Sequence, residues 1–589
     1  MATTTNRPPR PGHDADPPGT APDPAPSDAG LLKAATRHSA ARCAALVLCS
    51  VAGAGASLLL PFAIGRALDA VLAGHAAGHV GADATRWILL CAALIAASAL
   101  LDACDGVLTG TTNARTTAWL RGRVGRHVLA VGPRATARFA PGDLVARLVD
   151  NAAHAGVAPA TLAALLAALV APVGAVVALA LIDGWLVVVF VAGAPLLVLL
   201  LRWFVRVSSD CVARYQEVQG TIAGRLSEAI GGARTIAAAH TEDQEARRVL
   251  GALPELSRQG HRMWRVQGRS QAQAVAVAPL LQLAVVAVAG HLVLQERISV
   301  GELLAASRYA VLATGIGMLV GQLGALVRAR AAARRLGEVL AEPETSYGSG
   351  HLPPGDGLLE LRGVSVARGG RTVLDGVDLT VPAGGTLAVV GRSGAGKSLL
   401  AAVAGRLADP DEGDVRLDGV PLRSLGREEL RREVGYAFER PALLGTTLEG
   451  TIGFGAPRPA PARVREAARA AHADPFITRL PEGYDTLCAQ APLSGGEAQR
   501  LGLARAFARG GRLLILDDAM SSLDTVTEHH VAEALLHHTP HRSRLIIAHR
   551  AATAARADGV AWLHEGRIRA VGTHAELWQR AEYREVFGA

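Results

Sequence analysis

The sequence predicts a membrane α-helical bundle of six spanning helices fused to an α/β domain. Three observations carry that prediction. Apolar residues make up 50% of the 589 and gather into long segments instead of spreading evenly. Arginines alternate between the loops that join those segments. Beyond residue 357 the pattern changes to short β-forming runs alternating with helical stretches, the habit of an α/β domain.

The apolar segments lie at about 43–69, 87–108, 157–181, 185–206, 273–295 and 303–327. Each is long enough to cross a hydrocarbon core of ~30 Å as a helix. Between Ala155 and Leu201 the one charged residue is Asp183, so Ile182-Asp183-Gly184-Trp185 reads as the tight turn of a helical hairpin at a membrane face. The loop 111–157 carries seven arginines and 207–270 carries nine, whereas 70–85 carries none. Positive charge marks the cytoplasmic side, which places both long loops and both termini in the cytoplasm of a multi-pass protein of the cytoplasmic membrane. The same placement assigns the net charge of +8 to membrane orientation and not to nucleic acid. Asp102 and Asp105 in the second span and Arg308 in the sixth are costly in hydrocarbon, so they are candidates to line a substrate cavity; structural pairing or a place at a span end is the ordinary alternative.

Around the spans the organisation follows from composition. Residues 1–30 contain eight prolines and no apolar run, which predicts a disordered tail and excludes a secretory signal peptide. The six-helix domain then occupies 31–342, opening with a short amphipathic helix and extending its inner loops as helices well beyond the bilayer. A Pro, Gly and Ser-rich linker follows at 343–357, and the α/β domain fills 358–589. The six cysteines form no CxxC pair, and four of them lie in or near apolar segments, where a thiol serves as a small hydrophobe.

Chemistry is concentrated in the last domain. Gly391-Arg392-Ser393-Gly394-Ala395-Gly396-Lys397-Ser398 matches G-x-x-x-x-G-K-[ST], follows the strand 386–390 and opens a helix at Leu399. Such a loop turns backbone N–H groups onto phosphates at a helix N-terminus. Lys397 then neutralises the β/γ-phosphates and the Ser398 hydroxyl binds Mg²⁺. Lys397 is one of only two lysines, a residue kept where arginine is otherwise the rule. Leu513-Leu514-Ile515-Leu516-Asp517 reads as a buried parallel strand that carries Asp517, a Mg²⁺ ligand through water, to its C-terminal end. Asp518 follows and can orient an attacking water, with a helix cap as its plainer role. Leu493-Ser494-Gly495-Gly496-Glu497 opens a helix and forms a second anion site. His549 ends another apolar strand; taken alone, a histidine there is more often structural.

The order of these motifs, with Ser521-Ser522-Leu523-Asp524 between them, resembles the ATP-binding cassette family. The resemblance implies that two cassettes sandwich two ATP molecules, each with Mg²⁺. Ser494, Gly495, Gly496 and Glu497 then form the signature that meets ATP in trans. It makes His549 the switch histidine and Asp524 the D-loop aspartate. Glu439 takes the Q-loop position that senses Mg²⁺ and touches the membrane domain. Gly142–Leu148 and Glu228–Ile236 resemble the two intracellular loops of exporter-type half-transporters, so the likeness covers about 31–589.

Departures from the family pattern shape the functional expectation. Asp518 replaces the catalytic glutamate, Glu439 replaces the Q-loop glutamine, and Arg368 stands where an adenine-stacking aromatic is usual. The segment Leu487-Cys488-Ala489-Gln490-Ala491-Pro492 lacks the usual Gly-Glu-Arg-Gly. The expected protein is an ATP-driven export subunit that pairs in the bilayer with a second half-transporter, a heterodimer before a homodimer. Import of a metal chelate on the same architecture and a partner subunit with impaired hydrolysis are the alternatives. A soluble ABC ATPase of DNA repair or translation is opposed by the apolar spans. The spans name no substrate.

Overall fold

The computed structural model describes residues 28–76, 82–314, 317–455, 457–538 and 542–588. It divides into two compact units. One comprises the residues up to Leu129 together with Phe139–Pro343; the other comprises Ala130–Arg138 and Glu344–Ala589. Most of the expected tail lies outside the described residues, but the first helix, Asp28–His38, begins three residues inside it.

The described residues of the first unit form helices joined by short turns, with no strand among them. Among the described residues three helices are long and apolar enough to cross a membrane: Ala40–His75, Ala82–Val131 and Pro141–Ile182. They coincide with the first three expected spans. The fourth falls in the helix Gly184–Gly231 and the fifth in Leu253–Leu294, whose described apolar stretches are the shorter Gly184–Gly193 and Pro279–Leu294. The sixth falls in Val300–Ala313 and Gly317–Leu340, with 315–316 outside the described residues. Large apolar side chains such as Leu48, Leu89, Leu100 and Leu181 are exposed, as lipid-facing residues must be. Inside, Leu179, Leu186, Phe190, Val285, Ala289, Ala306 and Tyr309 form one buried cluster.

Small residues and caps hold these helices together. A Cβ on Gly65 or on Gly301 would overlap the other's carbonyl oxygen, so the two backbones meet directly. Asp69 accepts from Ser299 Oγ at 2.6 Å and from Gly301 N at 2.8 Å. Asp183 caps the helix after it, accepting from Trp185 N at 2.9 Å, and pairs with Arg297 at 2.7 Å. The hairpin turn read from Asp183 is thus a capped helix start. Farther along, buried Arg147 bonds Asp143 at 2.8 Å and Glu338 at 2.9 Å and lies over the Phe139 ring at 4.7 Å.

Among its described residues the second unit carries ten strands: β1 Leu359–Arg368, β2 Arg371–Val381, β3 Thr386–Val390, β4 Glu412–Leu417, β5 Val420–Pro421, β6 Val434–Phe438, β7 Leu513–Asp517, β8 Ser543–Ile547, β9 Gly559–His564 and β10 Arg567–Gly572. One sheet runs β2-β1-β4-β5 and the other β10-β9-β3-β8-β7-β6. In the second sheet β9, β3, β8, β7 and β6 are parallel neighbours, and β10 closes it antiparallel. All residues of β3 and the first four of β7 are buried, which explains why these runs are continuously apolar and not alternating. The expected linker is fastened to this unit: Gly348 N and Gly350 N donate to Leu425 O and Ser424 O at 3.1 and 2.9 Å. Arg406 lies over the Tyr347 ring at 4.8 Å.

Candidate functional site

Parallel strands deliver their following loops to one edge of the sheet, and β3, β7 and β8 bring three loops together there. After β3, Gly394 and Gly396 adopt φ of 82° and 101°, the left-handed region that glycine enters without strain. Gly391 is required for space as well, since a Cβ there would overlap the Leu563 carbonyl oxygen. The loop ends in the helix Lys397–Ala404. Lys397 is buried, and its Nζ donates to Gly391 O at 2.8 Å and Arg392 O at 3.1 Å. The ammonium is therefore held inside the loop that the sequence assigns to phosphate. Burial lowers its pKa, opposed by Asp518 and Asp517.

After β7 the two aspartates diverge. Asp517 accepts from Ser398 Oγ at 2.9 Å. Asp518 adopts φ 53°, which is strained for a non-glycine residue, and its Oδ2 lies 2.7 Å from His549 Nε2. Burial raises the pKa of both carboxylates. For Asp517 the Ser398 hydrogen bond works against that rise and the Glu439 charge with it; for Asp518 the neighbouring His549 opposes it and Asp517 adds to it. Helix capping falls instead to Asp524, which accepts from Thr527 N at 3.0 Å, Val526 N at 3.1 Å and Thr527 Oγ1 at 2.7 Å at the start of Thr525–His538.

The donor set suits Mg²⁺. A hydroxyl and a carboxylate oxygen stand side by side in a partly desolvated place, and Mg²⁺ prefers oxygen ligands. Among the described residues no group of three or more His, Cys, Asp or Glu side chains could hold a metal by itself. A cation at Ser398 and Asp517 would therefore draw its remaining ligands from water and nucleotide phosphates, the habit of Mg²⁺ in such loops.

Ser494 begins the helix Gly495–Ala508 through a capping box. Ser494 N and Ser494 Oγ both donate to Glu497 Oε2 at 2.9 Å, and Glu497 N donates back to Ser494 Oγ at 3.3 Å. Those bonds hold the Glu497 carboxyl below its usual range, with the Ser494 backbone the largest cause. Glu439 follows β6 with its side chain half exposed, 3.8 Å from Arg440. Arg368 is exposed at the tip of the β1–β2 hairpin beside Gly369 and Gly370. In the first unit, Asp105 accepts from Ser50 Oγ at 2.6 Å, while Asp102 and Arg308 are exposed. No ion pair among the described residues joins Arg308 to either aspartate.

Two polar residues at this edge escape a motif reading. Gln499, 2% exposed, donates to Glu439 O at 2.8 Å and Ser521 Oγ at 3.0 Å and accepts from Ser522 N at 2.9 Å. It ties the helix Gly495–Ala508 to the loops after β6 and β7. The phenol of Tyr436 is pushed above its ordinary range by burial first and by the neighbouring Asp517 charge second. In sequence Gln499 stands between Ala498 and Arg500 with nothing to mark it as buried. Tyr436 could be found by alternation along β6, where it faces away from Gly435 and Ala437.

The family comparisons agree with this geometry. Residues 43–316 match the ABC transporter transmembrane region, and 374–521 match the ABC transporter domain. The chain is 53% identical over 545 residues to the ABC transporter ATP-binding protein RamA of Streptomyces coelicolor, covering 92% of this chain and 85% of that one. It is 31% identical to the ATP-dependent lipid A-core flippase of Nitrosococcus oceani over 79% of each chain. A bacterial Atm1-family ABC exporter solved with ATP bound shares the fold, with a TM-score of 0.78 at 23% identity, covering 93% of this chain and 98% of that one. These relatives lend the import reading no support. The chain therefore belongs to the ABC transporter family, as a membrane-embedded half-transporter of the exporter type that couples ATP hydrolysis to transport.

Proposed function

We propose that this chain forms one half of a heterodimeric ATP-driven exporter, with both termini in the cytoplasm, and that its own Walker elements build a slow ATP site. The observation that carries this reading is the 2.7 Å contact between Asp518 and His549 beside Lys397, Ser398 and Asp517. In this reading Gly391, Ser393, Gly394, Ala395, Gly396 and Leu399 cradle the phosphates, Lys397 neutralises the β/γ-phosphates, and Arg368 stacks on the adenine by its guanidinium plane. Ser398 and Asp517 would hold Mg²⁺, with Glu439 reaching it through water, and the bound ion would supply positive charge against the phosphoryl oxygens. Asp518 orients the attacking water, and His549 fixes the Asp518 carboxylate. Aspartate is one methylene shorter than glutamate, so the carboxylate is drawn back by a C–C bond of ~1.5 Å. Nucleotide binding is left intact and hydrolysis is slowed.

The second site pairs Ser494, Gly495, Gly496 and Glu497 of this chain with the Walker elements of a partner half-transporter. It is fast where that partner supplies a glutamate. Gln499 and Asp524 link the two sites, because they order the loops that follow β6 and β7 beside the signature helix. The proposed domain limits are 31–342 for the membrane half, 343–357 for the connecting segment and 358–589 for the cassette, and the exported substrate passes a cavity to which Asp102, Asp105 and Arg308 contribute. The test is transport into inverted vesicles by this chain together with a candidate partner half. Lys397→Ala is expected to abolish nucleotide-driven transport; full transport by that variant overturns the assignment.

A further inference from the structure

The nucleotide-facing loops leave the C-terminal ends of β3, β7 and β8. The chain enters β6, β7 and β8 at the opposite edge, and arginines gather there. Arg431 and Arg432 precede β6, Arg509 precedes β7 and Arg542 precedes β8. A cavity of about 290 Å³ opens at that edge, lined by Arg431, Arg432, Arg458, Arg463 and Arg509, with no carboxylate in its lining. Most of their hydrogen bonds go to backbone carbonyls, which orient a guanidinium without neutralising it. Arg431 donates to Gly405 O and Arg406 O, both at 2.8 Å, Arg509 to Arg431 O at 3.0 Å, and Arg542 to Arg509 O at 2.6 Å. The nearby acids are engaged at the margin: Glu429 with Arg432 at 3.4 Å and Glu433 with Arg512 at 3.5 Å.

Like charges this close repel, and the arginines register it. Burial lowers the pKa of Arg509, with Arg431 adding to the fall, and brings Arg542 to about 10, with Arg463 adding and Glu433 opposing. The helix Pro461–Ala470 begins at the same rim, where Ala460 offers no side-chain cap to its first N–H groups. The opposing helix end at Ala508 is partly answered by Arg463 Nε at 3.4 Å from its carbonyl oxygen. A guanidinium presents five N–H donors in a planar fork that fits phosphate oxygens in pairs. A cavity of about 290 Å³ holds roughly ten water volumes at ~30 Å³ each, which is room for two or three linked phosphates. A monovalent carboxylate would leave most of the arginines uncompensated.

We propose that this arginine-lined cavity binds a compact oligophosphate, at the edge of the cassette sheet opposite the ATP site. The occupant is a free di- or triphosphate group or the phosphorylated headgroup of a lipid; the chemistry that recognises either is the same. The test uses the full-length protein carrying Lys397→Ala, which removes the phosphate lysine of the ATP site, in nanodiscs of neutral phosphatidylcholine. Tripolyphosphate titrated by calorimetry is expected to bind saturably, once per chain. Adding Arg458→Gln and Arg463→Gln, both at exposed positions, should weaken binding at least tenfold, roughly the loss of one charged hydrogen bond. An unchanged thermal midpoint without ligand shows that this variant is folded. Displacement of tripolyphosphate by phosphatidic acid in the same nanodiscs assigns the site to headgroups, and its failure assigns it to soluble phosphates; both uphold the proposal. No saturable binding, or equal affinity with and without the two arginines, overturns it.

Discussion

Asp518→Glu puts the division of labour between the two ATP sites at risk. Asp518 is held at both ends. Its backbone sits at φ 53° and its Oδ2 lies 2.7 Å from His549 Nε2, so the carboxylate cannot advance toward a nucleotide without giving up that bond. Glutamate keeps the backbone position and extends the carboxylate by one C–C bond, ~1.5 Å. A misplacement of about 1 Å in a catalytic group costs on the order of 10²-fold in rate, or about 2.7 kcal/mol of activation free energy. The substitution is therefore expected to raise turnover at this chain's Walker site by about 10- to 100-fold. Phosphate release by the purified full-length chain in nanodiscs, where a second copy of the same chain supplies the signature and no other half is present, isolates that site. His549→Ala in the Asp518→Glu background should return much of the gain, because the histidine then positions the longer side chain. Turnover by Asp518→Glu at or below the wild-type rate, together with fast wild-type turnover lost in Asp518→Ala, refutes the reasoning and makes Asp518 a competent catalytic residue.

Other residues give sharper structural tests. Gln499→Leu removes three hydrogen bonds at a site 2% exposed and leaves Glu439 O, Ser521 Oγ and Ser522 N without it. A loss of about 2–4 kcal/mol is expected, read as a fall of several degrees in the cassette's thermal midpoint. Gly391→Ala drives a Cβ into the Leu563 carbonyl and should cost ~1–3 kcal/mol with loss of ATP affinity, measured by nucleotide binding. Arg147→Ala strips Asp143 and Glu338 of their partner, but both acids are nearly half exposed, so about 2 kcal/mol is expected from thermal unfolding in detergent. Glu497, whose pKa is lowered in the fold, stabilises the signature helix fully above its ordinary value of 4.5 and loses that contribution as pH falls through the folded value. Glu497→Gln should therefore flatten the acid limb of the stability–pH curve.

Much of the candidate site is legible in one dimension because its chemistry depends on local backbone shape. A loop that must turn N–H groups onto phosphate needs glycines at fixed spacing before a lysine, and Gly394 and Gly396 do take the left-handed conformations that spacing requires. A strand buried on both faces must be apolar throughout, which made 386–390 and 513–517 readable. Asp524 shows the limit. The resemblance gave it a D-loop role, and the structure adds that it caps the helix Thr525–His538. The linker composition of 343–357 spoke of a tether, yet the segment is hydrogen-bonded to the cassette through backbone groups of Ser424 and Leu425 that carry no compositional signal.

The sequence by itself determined the class of the molecule and its phosphate-binding loop. Apolar run length, arginine alternation and glycine spacing are properties of neighbours along the chain, and each has a direct physical consequence for that same stretch. Only the tertiary structure decided which groups share an electrostatic environment. Asp518 and His549 lie 31 residues apart, Gln499 and Glu439 lie 60 apart, and the cavity arginines come from segments spread over residues 431–509. Parallel β-pairing is what brings them together, delivering distant segments to one edge or the other of the same sheet. Charge interactions fall off with distance through space and not along the chain, so their outcome waits on the fold.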